Sequence, residues 1–84
     1  MPEKEIGEVT HYFGRIMVGV IRLSDGIKTG DTIQVRGATS NFSQKIDSMQ
    51  IDHKPVDVAV AGQSIGLKLA DHARQGDAVY RVEE

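Results

Sequence analysis

Lys28-Thr29-Gly30-Asp31-Thr32-Ile33-Gln34-Val35-Arg36 is a turn that runs straight into a strand. Gly30-Asp31 makes the reversal, because glycine reaches the positive φ that several turn types demand. Ile33 and Val35 then alternate with Thr32, Gln34 and Arg36, the period of two that buries one face of a strand. The same period recurs outward along the chain. Ile65, Leu67 and Leu69 alternate with Gly66 and Lys68, and Val56, Val58 and Val60 alternate with Asp57 and Ala59. Residues 16–23 are apolar almost throughout, as a strand covered on both faces or lying deep in a barrel would be. Residues 78–82 read as a short closing strand. Turn-forming clusters separate these runs at about the 8–12-residue spacing of small sandwiches and barrels. Residues 70–75 are the one place where a single helical turn fits. The reading is an all-β domain with a core that includes Val18, Val20, Ile33, Val35, Ile46, Ile51, Ile65, Leu67 and Val79.

Two of the runs break their own parity. In 42–53, Ile46 lies on one face and Met49 and Ile51 on the other; in 5–12, Ile6 and Val9 disagree in the same way. A one-residue parity switch is what a β-bulge produces, and barrels use bulges to turn corners; the alternative is that one of these residues is simply exposed. Gly-Asp occurs twice, as Gly30-Asp31 and Gly76-Asp77, each time just before a strand. This reads as one turn chemistry used twice, with the carboxylate capping the turn.

A chain of 84 residues holds one core, so residues 1–84 form a single domain. The absence of cysteine excludes disulfides and thiolate metal sites. Ten basic residues against twelve acidic ones give a net charge of −2. That balance argues against a surface built mainly to hold nucleic-acid backbone, and leaves room for a local basic patch. No apolar run is long enough to cross a bilayer, and Met1-Pro2-Glu3-Lys4-Glu5 is not a secretory leader. The chain therefore reads as cytoplasmic and complete, with no membrane partner.

His11, His53 and His72 lack metal-site spacing. Asp52 and His53, adjacent on an expected strand, would point to opposite faces. There is no Gly-x-Ser-x-Gly nucleophile elbow and no phosphate loop ending in Lys-Ser or Lys-Thr. The expectation is no catalytic residue, no metal, no cofactor and no bound nucleotide, in a chain that is not an enzyme.

Four segments carry a family resemblance. Gly26-Ile27-Lys28-Thr29-Gly30-Asp31-Thr32-Ile33 resembles a segment of the second domain of translational GTPases such as elongation factor Tu. Ser48-Met49-Gln50-Ile51-Asp52-His53-Lys54-Pro55-Val56, Ala59-Val60-Ala61-Gly62-Gln63-Ser64-Ile65-Gly66-Leu67 and Gln75-Gly76-Asp77-Ala78-Val79 resemble three later segments of that domain, in the same order and spacing. Ile6-Gly7-Glu8-Val9-Thr10-His11-Tyr12-Phe13 is similar to the opening of small stand-alone translation-elongation-factor-like proteins. A similar barrel also closes some collagenase-like peptidases. The resemblance spans residues 5–82 and implies a small closed Greek-key β-barrel of six or seven strands. In elongation factors this barrel helps hold transfer RNA and packs on a GTPase domain. That domain is missing here, so GTP binding and hydrolysis are not carried over.

Two functions are expected from this. The first is a translation-factor-like binding module that touches RNA (transfer RNA or ribosomal RNA) or a translation-related protein. Its candidate RNA contacts are Arg15, Arg22, Lys28, Arg36 and Lys45, since residues 15–45 hold these five cations and only Asp25 and Asp31 as acids. From residue 46 onward four cations face seven carboxylates, so the two halves differ in sign. The second is a protein-docking or dimerising domain with no nucleic-acid role, a monomer or weak homodimer joined through a sheet edge.

Overall fold

The computed structural model describes residues 3–38 and 40–82. Among these it has ten strands and no helix: β1 Glu3–Phe13, β2 Val18–Leu23, β3 Ile27–Lys28, β4 Thr32–Arg36, β5 Asn41–Lys45, β6 Met49–Ile51, β7 Lys54–Val56, β8 Val58–Ala59, β9 Ser64–Lys68 and β10 Ala78–Val82. Eight form one sheet in the order β5-β4-β10-β1-β2-β9-β6-β7, and β3 pairs with β8 in a second, two-stranded sheet. All pairings are antiparallel. Both sheets contribute to one core, in which Ile27 and Ala59 of the small sheet meet Ile6, Ile21, Ile33 and Ile65 of the large one.

The expected strand count rises because two apolar runs are interrupted. Residues 42–53 are not one bulged strand. They are β5 and β6 with a break at Ile46, whose backbone pairs with Asp31 and Gly30 instead. Asp52 and His53 are not strand residues either. Both have positive φ (52° and 64°) and form the two-residue turn of the β6–β7 hairpin. Positive φ at both central positions is the mark of a type I′ turn, whose twist matches the strands it joins. Pro55 is tolerated because β7 is an edge strand. The parity switch in 5–12 is a true bulge. The register of β1 slips between Glu5 and Gly7 against β10, and again between Val9 and His11 against β2. The first slip lets Ile6 and Val9 both point into the core.

Of the expected core, Ile33, Val35, Ile46, Ile65, Leu67 and Val79 are buried. Val18, Val20 and Ile51 are only half-buried. In β2 the inward positions are Gly19, Ile21 and Leu23, one residue out of phase with the sequence reading. Residues 16–23 are not a doubly covered strand, because Ile16, 61% exposed, and Met17 lie in the β1–β2 turn. Residues 70–75 form no helical turn. They are pinned by the buried Ala73 and by hydrogen bonds at Ala70 and Arg74.

No sheet among the described residues closes on itself, in contrast to the expected closed barrel. The reason is local. Beyond β5 the next backbone is the segment after β9, and the span is crossed by the Gln44 side chain. Its amide donates to the Lys68 carbonyl (2.9 Å) and accepts from the Ala70 N–H (2.6 Å), the donor–acceptor pair that a peptide group would offer.

One turn device appears three times. In 28–31, 60–63 and 74–77 the third residue is a glycine with φ of 94°, 90° and 95°. The fourth residue's N–H donates to the first residue's carbonyl at 3.1–3.2 Å. The fourth side chain, Asp31, Gln63 or Asp77, accepts the first residue's N–H at 2.9–3.0 Å. Each turn leads into a strand: β4, β9 or β10.

Candidate functional site

The five cations singled out by the sequence do not share one face. Arg36 and Arg22 lie on the same outward row of the large sheet, linked through the pairs Arg36↔Ala78, Ala78↔Glu8 and Glu8↔Arg22. Glu8 thus stands between them. Arg36 lies over the Tyr80 ring (5.2 Å to its centroid) and bonds Glu3 at 2.6 Å. The outward positions of β1, Glu3, Glu5 and Glu8, form an acidic stripe between the β4 and β2 arginines. Lys45, opposite Thr32 at the end of β5, is on that outward face as well, whereas Lys28 belongs to the small sheet and Arg15 sits in the β1–β2 turn.

Two apolar surfaces are exposed instead. One is the tip of the β1–β2 hairpin, with Phe13, Ile16 and Met17 around Arg15. The other is a groove of about 480 Å³ beside the small sheet. Its floor is Ile27 and Ala59, both buried. Val58 (62% exposed) and Val60 (55%) form one wall, and Lys28, Asp31 and Arg81 bring charge. The sequence pattern read Val56, Val58 and Val60 as alternating on a strand with one buried face, and passed over Arg81. The signal lay in the flanks: Pro55 and Asp57 interrupt the run, and a methyl-sized Ala59 fits an inward position close to a neighbouring strand.

The groove's charges are held in place. Arg81 donates to the Gly26 carbonyl at 2.5 Å and lies 3.8 Å from Asp25. Asp25 also pairs with Lys4 at 2.6 Å and accepts the Gly26 N–H at 2.8 Å. The Lys4 hydrogen bond, then the Gly26 N–H and the two cations, hold the Asp25 carboxyl below its ordinary value. The histidines lie apart. His72 meets Tyr12 edge-on, His11 lies near Phe13, and His53 is in the β6–β7 turn. The described residues hold no group of three or more His, Asp or Glu suited to a metal ion. No helix among them is long and apolar enough to cross a membrane.

The fold and its exposed surfaces define a small all-β domain of the translation-factor type. The chain belongs to the family of elongation factor Tu domain 2, which matches residues 10–79. It is 40% identical over 81 residues to an uncharacterized protease of Methanocaldococcus jannaschii, covering 95% of this chain and 20% of that protein. It is 27% identical to a collagenase of Porphyromonas gingivalis, covering 94% of this chain and 22% of the collagenase. The chain thus spans about a fifth of these relatives. Among solved structures it is similar to the C-terminal domain of a Geobacillus thermoleovorans protein assigned to the U32 peptidases. The TM-score is 0.89 at 17% identity, over 95% of this chain and 93% of that one.

These likenesses correct the expectation that the chain is not an enzyme, since its relatives are named protease and collagenase. The pointer in the sequence was the similarity to the barrel that closes some collagenase-like peptidases; the segment shared is about a fifth of each relative. A role in translation finds no support among them.

Proposed function

We propose that the chain serves as the polypeptide-binding accessory domain of a U32-type peptidase. The observation that carries this reading is the 40% identity to a protease along nearly the whole chain. The geometry supports it. The exposed apolar side chains gather at the hairpin tip and beside β8, where a protein partner buries them, while carboxylates interrupt the cations of the large sheet. Protein interfaces draw on apolar side chains at their centres, whereas phosphate backbones need uninterrupted cations.

The experiment compares two partners. The chain is titrated with a reduced, carboxymethylated protein and, separately, with transfer RNA across a salt series. Wild type is compared with Arg22→Ala, Arg36→Ala and Lys45→Ala. The reading expects saturable binding to the unfolded polypeptide that ignores the three substitutions. Salt-steep RNA binding that falls with each lost cation, and no binding to the polypeptide, would reject it.

A further inference from the structure

We infer that the groove beside β3 and β8 recognises an extended polypeptide segment in which an apolar side chain is followed, two residues on, by an Asp or Glu side chain. This deepens the proposed polypeptide-binding role and rests on it.

The segment that holds β8 is inverted. Val58 and Val60 point to solvent while Ala59 between them is buried, so the larger apolar side chains of this segment face outward. Side chains two apart on a strand lie about 6.5–7 Å from each other on one face. That is also the spacing of positions i and i+2 in an extended ligand laid alongside. Lys28 is the cross-strand partner of Val58, so its side chain rises on the same face as the valine. Val58 stands directly beside Lys28 and Val60 on the diagonal, about 7–8 Å from it, so the groove presents an apolar wall with an ammonium about one i, i+2 step from Val60.

Charge selects the ligand's sign. Two cations, Lys28 and Arg81, line the groove with one carboxylate, Asp31. The Asp31 carboxylate accepts Lys28's own backbone N–H, which commits it to the turn. The three ion pairs among the described residues do not include Lys28, and Lys28 is exposed. The Arg81 guanidinium is held by the Gly26 carbonyl and Asp25, so its charge is answered within the fold and Lys28 is the cation that meets a ligand. An occupant with an apolar group and a carboxylate at i and i+2 meets both features at once. The groove's floor, Ile27 and Ala59, is core, so the base on which the valine wall stands is preformed.

The test is an NMR titration of the ¹⁵N-labelled chain with three blocked hexapeptides built around Leu-Ser-Glu, Leu-Ser-Gln and Thr-Ser-Glu. The expected result is saturation by the Leu-Ser-Glu peptide with a dissociation constant near 10⁻⁴ M, about −5.5 kcal/mol. The shifts should centre on Lys28, Val58, Ala59 and Val60. The Gln and Thr peptides should each bind about 3- to 10-fold more weakly, as should Lys28→Glu with the Leu-Ser-Glu peptide. The double variant Val58→Ser/Val60→Ser should lose saturation while its spectrum stays dispersed, because both side chains are exposed. Equal binding of the Glu and Gln peptides would overturn the inference. So would shifts confined to Phe13, Ile16 and Met17, or binding that survives the double variant. The carboxymethylated protein separates the two levels. If it binds and the hexapeptide does not, the groove assignment fails and the accessory role stands. If neither binds, both fail.

Discussion

Strand β4 and the stretch that holds β8 look alike in sequence and are opposite in the fold. Both carry β-branched apolar residues at alternating positions, Ile33 and Val35 in one, Val58 and Val60 in the other. In β4 these residues are buried; in and just after β8 they face solvent and Ala59 takes the inward place. The difference lies in the neighbours. β4 is paired on both sides, by β10 and β5, so its core-facing phase is fixed twice. β8 is paired only with β3, and its one core-facing residue sits opposite the buried Ile27, where a small side chain fits. Alternation supplies a period; pairing supplies the phase.

That contrast can be broken by substitution. Ile33→Ala should destabilise the domain by about 2–5 kcal/mol, the range for emptying a packed core position, read from urea unfolding. On the β8 side, Ala59→Leu should cost about 1–3 kcal/mol by overfilling the space above Ile27. Val58→Ser, one residue away, should stay within about 0.5 kcal/mol of wild type. If Val58→Ser proved the more damaging of the two, the phase of β8 described here would be wrong.

The turns beside the two segments are clamped by different side chains. Asp31 clamps the turn before β4, and Gln63 clamps the matching turn after β8. Asp31→Ala should lose about 1 kcal/mol, and Gln63→Ala about half that, since a carboxylate accepts an N–H more strongly than an amide. Both should show in thermal melts.

The smallest effect concerns β3, the partner of β8. Asp25 precedes it, and its folded-state carboxyl titrates below the ordinary value of 3.8. A depressed carboxylate contributes stability that is present above its unfolded value and lost as pH falls through the folded one. Melting temperature should therefore decline below about pH 3.8 partly through Asp25, and Asp25→Asn should flatten that decline while lowering the plateau above it. An unchanged acid limb would remove the Lys4–Asp25–Arg81 cluster from the account of β3.

Much of the fold was legible in the sequence, and the gaps have physical causes. The all-β class, the bulge at Ile6 and the shared Gly-Asp turn chemistry rest on local rules, and all three are present. The third turn hid behind Gln63, since an amide there gives no Gly-Asp signature. Asp52-His53 hid because neither is glycine, yet both take positive φ. The candidate site was hardest to see. Exposed valines imitate core valines in any one-dimensional pattern, and the acidic stripe between Arg36 and Arg22 exists only once β1 lies between β10 and β2.

The place of β10 has a consequence in time. It is the last strand in chain order and lies in the middle of the large sheet, between β4 and β1. As the polypeptide emerges, β4 and β1 each lack one strand partner until residues 78–82 have been made. No shorter product of synthesis can complete the large sheet. A nascent chain stalled before Ala78 would offer two sticky edges at once, and truncation there should yield aggregates rather than a smaller stable domain.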